Sequence, residues 1–127
     1  MSTDTSLAND HLVDPDCIFC KLANHAIPAR AVFEDDDIFA FEDLSPQATV
    51  HILIVPKRHI ANLAATSDGD LEVLGKLLRA AAVIAADQGV SESGYRTVAN
   101  VGRDGGQTVD HLHLHLLGGR HMGWPPG

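Results

Sequence analysis

The sequence predicts an α+β domain: an antiparallel sheet of five strands with one long helix on a face and a short helix near the N-terminus. Three observations predict it. Five short β-branched or apolar segments stand between turn signals. Only one segment carries a long helical period, Asp68 to Gln88. Strands and helices do not alternate, so a parallel, doubly covered sheet is not expected.

The chain has 127 residues, enough for one domain with a real core and no need of disulfide staples. Residues 1–15 mix Ser, Thr, Asp and Asn with no apolar period and read as a flexible tail, leaving 16–127 as the domain. Ile18, Phe19 and Leu22 share one face of a short helix ending near Ala26 to Pro28. Ala31–Glu34 and Ile38–Glu42 read as a hairpin around Asp35-Asp36-Asp37. Thr49 to Val55 reads as a strand that Pro56 closes.

The long helix starts at a Ser67-x-x-Asp70 capping pattern and stops at Gly89. Leu71, Leu74, Leu78, Ala81, Ala82 and Ala85 form its expected core stripe. Tyr95 to Asn100 and Val109 to Leu117 are the last two strands, separated by a turn at Gly102 to Gly106. Trp124-Pro125-Pro126-Gly127 is an extended tail.

The net charge is −8 with His neutral. An acidic chain lacks the basic face that a nucleic acid or an anionic membrane would reward, so neither partner is expected. No apolar run approaches the ~20 residues that span a bilayer. The polar, acidic start lacks a signal-peptide layout. A cytoplasmic location is the default expectation.

Asp110-His111-Leu112-His113-Leu114-His115-Leu116 is the most informative segment. On a strand the three histidines share one face and successive Cα atoms of the set lie about 7 Å apart. The leucines then point toward the helix. Imidazole titrates near neutral pH and serves as nucleophile, acid or base. Alternating histidines also bind metal, so metal ligation and direct catalysis both stand at this point. Gly105-Gly106-Gln107-Thr108 precedes the segment, and such a loop can bring N–H groups and a hydroxyl near a phosphate, or can be a plain turn. Cys17-x-x-Cys20 reads as metal or redox chemistry in a reducing compartment, or as two reduced buried thiols. His11 in the tail and His25 in a turn are expected to be solvated.

The motif His111-x-His113-x-His115-Leu-Leu resembles the one that names the histidine triad family. Cys17-Ile18-Phe19-Cys20-Lys21, Phe41 to Ala48, His51 with Val55-Pro56-Lys57-Arg58-His59, Asn100-x-Gly102 and Gly105 to Val109 follow in that family's order. The ending Gly118-Gly119-Arg120-x-Met122-x-Trp124-Pro125-Pro126-Gly127 resembles its Hint branch. The resemblance covers about Cys17 to Gly127.

That resemblance implies a homodimer whose sheets join, and hydrolysis of purine nucleoside phosphoramidates and related adenylates such as AMP-amines and acyl-AMP. It implies His113 as the nucleophile that forms a nucleotidyl-imidazole, His115 as the contact to phosphate oxygen, and His51 and His111 as orienting partners. It implies Asn100, Gly106, Gln107 and Thr108 on the phosphate side and Asp43 at the ribose hydroxyls. Ile18, Phe19, Leu22, Phe41 and Leu44 would wall the base pocket, with ordinary core packing as the alternative for each. Trp124 would lie close to the partner's site. Gly123 stands where Hint members often carry His, and His121 stands two residues earlier. The bacterial-type pattern implies a structural zinc on Cys17, Cys20, His59 and His111, and no cofactor for the chemistry itself. Other readings of the same residues are a nucleotide-binding scaffold without turnover, a zinc site on His111, His113 and His115, and dinucleoside polyphosphate cleavage or nucleotidyl transfer.

Overall fold

The computed structural model describes residues 13–127. Most of the segment 1–15 read as a tail, with His11, lies outside the described residues. Residues 13–15 do not behave as a tail. The Asp14 carbonyl accepts the Cys17 N–H at 3.1 Å and the Asp14 N–H lies 3.4 Å from Cys20 Sγ, so the turn before the first helix is packed on it. The ordered domain thus begins before residue 16.

Helix α1 spans Ile18–Ala23, and Cys17 caps it by accepting the Cys20 N–H on Sγ. Strands β1 (Ala31–Glu34), β2 (Ile38–Glu42) and β3 (Val50–Pro56) follow. Two single 3-10 turns lead into α2, Leu71–Asp87, and β4 (Tyr95–Val98) and β5 (Leu114–Gly118) close the chain. The strand order is β1-β2-β3-β5-β4 with every pair antiparallel. The expected class and element order hold.

Local chemistry explains the corners. Asp35 Oδ1 accepts the N–H groups of Asp37 and Ile38, both at 2.8 Å, which closes the β1–β2 turn. Asp70 accepts the Ser67 N–H at 2.9 Å, as the capping pattern predicts, and pairs with Arg58. Gly89 takes φ +75°, which a side chain would resist, and ends α2.

The sheet separates two apolar clusters. Ile38, Ala40, Ile52, Ile54, Leu112, Leu114 and Leu116 pack with Leu77, Ala80, Ala81, Ile84 and Ala85 of α2. Phe39, Phe41, Leu53 and Val55 pack on the opposite face with Phe19 and Ala23 of α1. The alternation of β2 and β3 therefore feeds both faces, and both strands are buried almost throughout.

Two expectations need correction. The α2 core stripe runs through Leu77, Ala80, Ala81, Ile84 and Ala85, whereas Leu71 is 66% and Leu78 59% exposed. Ala81 and Ala85 of the expected stripe are buried and Leu74 packs against them, so the true face is the expected one rotated toward Leu77, Ala80 and Ile84. The last strand is shorter than expected: ladder pairing begins at Leu114, so of the three histidines only His115 sits in a paired strand. His111 and His113 precede it in an unpaired approach, where the backbone carbonyls are free to serve side chains.

Candidate active site and metal centre

His51 and His115 meet because β3 and β5 are neighbours. The register sets Leu53 opposite His115 and His51 opposite Leu117, so both imidazoles emerge on the α1 face. His51 Nε2 lies 2.9 Å from His115 Nδ1. The His113 ring centroid lies 5.0 Å from that of His115 and 5.1 Å from Phe19. His113, His115 and His51 are thus brought together.

Hydrogen bonding fixes which nitrogen carries each proton. The Gln47 backbone N–H donates to His51 Nδ1 at 3.0 Å, so that nitrogen carries a lone pair. The His51 proton therefore resides on Nε2, where it donates to His115 Nδ1. Asp43 Oδ2 stands 3.4 Å from the same Nε2 and shares this proton's field. His115 Nδ1 accepts, so His115 presents an Nε2–H donor. His113 Nδ1 lies 2.7 Å from the His111 carbonyl, which can only accept, so His113 keeps Nδ1–H and a lone pair on Nε2.

Burial favours the neutral forms of His51 and His115. It lowers the pKa of His51, against the opposing pull of Asp43. It pushes His115 down to about 4, with the neighbouring imidazoles His113 and His51 adding to the effect. The site thus holds a nucleophilic nitrogen beside a neutral N–H donor, which suits attack on an atom bearing a negative oxygen.

His111 goes elsewhere. Its ring is fully buried and Nε2 donates to the Pro56 carbonyl at 2.9 Å. Nδ1 then faces Cys17 Sγ at 3.3 Å and Cys20 Sγ at 3.5 Å, and His59 Nδ1 lies 3.5 Å from Cys20 Sγ. The four candidate donor atoms of Cys17, Cys20, His59 and His111 lie within 4.8 Å of one another. This donor set fits zinc. The chemistry is a closed two-thiolate, two-imidazole set, with His111 held in the ligating tautomer by a carbonyl behind it. The Asp14 and Cys20 N–H groups point at the sulfurs. Burial, with the neighbouring Cys17 sulfur adding and the Asp14 N–H opposing, pushes the Cys20 thiol up to about 11, so thiolates here call for a bound cation. The histidines His111, His113 and His115 do not converge on one point, and a zinc site on those three is overturned: His111 faces sulfur and His113 is tied to a carbonyl. Asp43, His51 and His115 also cluster, but the His51 proton lies between the two rings and makes that group a hydrogen-bond array.

The remaining predicted residues divide. Phe19 and Phe41 are edge-to-face at 5.5 Å within the α1-face cluster, with Leu22 at its edge. Ile18 is exposed, and Leu44 is 90% exposed in the loop after Asp43. Asp43 Oδ1 accepts the Ser45 N–H at 2.7 Å, which fixes that loop. Asn100 donates to the Gly105 carbonyl at 2.7 Å. Gln107 spends its amide on the backbone, accepting from Gly102 N–H and donating to Ala61 and Val109 carbonyls. The Gly106 and Gln107 N–H groups close the turn on the Arg103 and Gly102 carbonyls. These three residues brace the loop, while Thr108 lies on the surface beside His59 and Val109. Trp124 is 82% exposed, and Arg96 donates to the Gly123 carbonyl at 2.7 Å, anchoring its segment. His25 does not stand alone: it pairs with Glu34 at 2.8 Å.

Sequence reading missed the Gln47 N–H, the Pro56 and His111 carbonyls and the anchoring arginines. Backbone groups have no residue-type signature, so only the fold reveals the first three.

A five-stranded antiparallel sheet carrying a histidine array on one face and a long helix on the other defines a class built for histidine chemistry at an anionic centre. The chain belongs to the histidine triad family: residues 24–122 match the HIT domain. It is 46% identical to the 14 kDa zinc-binding protein of Zea mays over the whole of both chains. It is 44% identical to adenylylsulfatase HINT1 of Arabidopsis thaliana, across 90% of this chain and 78% of that one. The crystal structure of a HIT family hydrolase from Legionella pneumophila superposes with a TM-score of 0.87 at 54% identity, covering 88% of this chain and all of the other. No helix among the described residues is long and apolar enough to cross a membrane.

Proposed function

We propose that this protein hydrolyses purine nucleoside phosphoramidates and related adenylates through a nucleotidyl-His113 intermediate. The observation that carries the reading is the pairing of a His113 Nε2 lone pair with the His115 Nε2–H donor, each tautomer fixed by a separate hydrogen bond. His113 Nε2 attacks the α-phosphorus and forms a P–N bond. The bond to the amine, or to the acyl oxygen of an acyl-AMP, breaks with its electron pair leaving on that group. Water then displaces the imidazole and releases AMP. His115 donates to a phosphate oxygen whose charge grows in the transition state, and His51 orients His115.

In this reading Asp43 meets the ribose hydroxyls, and Phe19 and Phe41 with Ile18, Leu22 and Leu44 flank the purine. Thr108 meets phosphate, with Asn100, Gly106 and Gln107 shaping the loop that carries it. The Arabidopsis relative is named an adenylylsulfatase and the Legionella protein a hydrolase, both in keeping with attack at an adenylate phosphorus. Zinc on Cys17, Cys20, His59 and His111 would cross-link α1 to the segment before β5, in keeping with the zinc-binding maize relative. Two copies joined through the β4 edge, where Arg96 holds the Gly123 segment, would bring Trp124 toward the partner. A reducing cytoplasmic setting suits the free Cys17 and Cys20 thiols. Turnover of an adenosine phosphoramidate with a fluorescent amine, compared between wild type and His113→Ala, tests the reading.

A further inference from the structure

The tautomer of His51, and through it the donor on His115, depends on one backbone N–H, that of Gln47. Gln47 lies in an exposed loop between β2 and β3, so something must hold its peptide in register. Arg120 does so from the other end of the chain. Its Nε donates to the Gln47 carbonyl at 3.0 Å, and its Nη1 donates to the His121 carbonyl at 3.1 Å. Gly119 makes the approach possible. It takes φ +89°, and a Cβ there would stand 2.7 Å from Thr49 Cβ. The chain can turn over the β3 start and set the guanidinium on the Gln47 loop only with glycine at this point.

We infer that Arg120 is a positioning residue for the reaction, holding the main chain of Gln47 by its carbonyl so that the Gln47 N–H stays on His51 and locks His51 and His115 in the tautomers the chemistry needs. Three bonds link it to the site: Arg120 to the Gln47 carbonyl, Gln47 N–H to His51 Nδ1 at 3.0 Å, and His51 Nε2–H to His115 Nδ1 at 2.9 Å, with the first two joined through the Gln47 α-carbon, so that the link is one of position. A guanidinium on the Gln47 carbonyl restrains the main chain of that residue. Without it Gln47 keeps only the bonds within its loop, Gln47 Nε2 to the Ser45 carbonyl and Ser45 N–H to Asp43, so the Gln47 N–H can swing from His51 and His51 can place its proton on Nδ1. His115 then loses its fixed acceptor role and with it the donor on Nε2. Arg120 touches neither the reacting atoms nor either imidazole.

This inference rests on the phosphoramidate reading for its kinetic arm and is independent of it for its spectroscopic arm. Arg120 is exposed, so its replacement spares the core. Long-range proton–nitrogen NMR of the imidazoles in wild type, Arg120→Ala and Arg120→Lys gives the test. Wild type and Arg120→Lys are expected to show His51 and His115 protonated on Nε2, and Arg120→Ala a mixture of both tautomers. With an adenosine phosphoramidate, kcat of Arg120→Ala should fall roughly ten- to a hundredfold with KM little changed. Wild-type tautomers in Arg120→Ala would overturn the inference, whatever the rate. Mixed tautomers with an unchanged kcat would overturn the link to catalysis. A wild type that turns over no phosphoramidate, with the tautomers shifted as expected, would leave the relay standing and reject the substrate reading instead.

Discussion

The His111 carbonyl accepts the His113 Nδ1–H at 2.7 Å, while the His111 imidazole turns away toward Cys17 and Cys20. One residue thus serves two clusters, its ring facing the sulfurs and its carbonyl holding His113. Coordination of the ring by a metal would also fix the carbonyl that orients His113.

Metal analysis of the purified protein should find one zinc per chain, and Cys17→Ala should lose it. Zinc at a thousandfold over its Kd stabilises the folded chain by about 4 kcal/mol, so chelation should lower Tm by several degrees. Zinc retained at full stoichiometry in Cys17→Ala would move the ligand set off the Cys17-x-x-Cys20 motif.

The buried imidazoles predict a direction for stability against pH. His115 titrates at about 4 in the fold because burial opposes its charge, while the unfolded chain takes the same proton near the ordinary imidazole value of 6.5. Between those values the unfolded state binds more protons, so stability falls as pH falls through this window. His51 is lowered for the same reason and adds in the same sense. Urea unfolding in the presence of a chelator, from pH 4 to 6.5, should show a steep slope in wild type and a shallower one in His115→Gln. Equal slopes would mean that His115 is not held neutral by the fold.

The alanine-lined approach of α2 predicts where truncation hurts. Ile84 is 1% exposed and Leu78 is 59% exposed. Ile84→Ala should cost about 2–5 kcal/mol in unfolding free energy, whereas Leu78→Ala should stay within about 0.5 kcal/mol. Denaturant titration reads both. The reverse order would put the helix face where the leucines suggest.

Trp124 is 82% exposed at the end of a segment that Arg96 anchors. Trp124→Ala should leave stability within about 0.5 kcal/mol. It should change the ratio of kcat/KM between bulky and small amine leaving groups. An unchanged ratio would limit Trp124 to packing between copies.

Much of this was legible in the residues. Strand alternation and turn chemistry located all five strands, and the Asp35 turn, the Ser67-x-x-Asp70 pattern and Gly89 placed their corners correctly. The Cys17, Cys20, His59 and His111 cluster followed from family order, and the structure brings these side chains together. The α2 face was legible in part: Ala81 and Ala85 are buried and Leu74 packs on the core, while the face is turned toward Leu77, Ala80 and Ile84 and away from Leu71 and Leu78. The family resemblance implies Gln107 on the phosphate side, and the structure shows its side-chain amide bonded to three backbone partners, contacts that no sequence pattern discloses. The tautomers were illegible in principle, since they depend on the Gln47 N–H and the Pro56 and His111 carbonyls, which any residue type supplies.

The most direct test of the central claim is rapid-quench labelling with an adenosine phosphoramidate carrying radioactive phosphorus at the α position. Wild type should form an acid-labile, base-stable protein adduct whose label maps to His113, on the path to AMP. His113→Ala should form none and lose at least about a thousandfold in turnover while still binding AMP. An undiminished rate in His113→Ala, or label on another residue in wild type, would contradict the account.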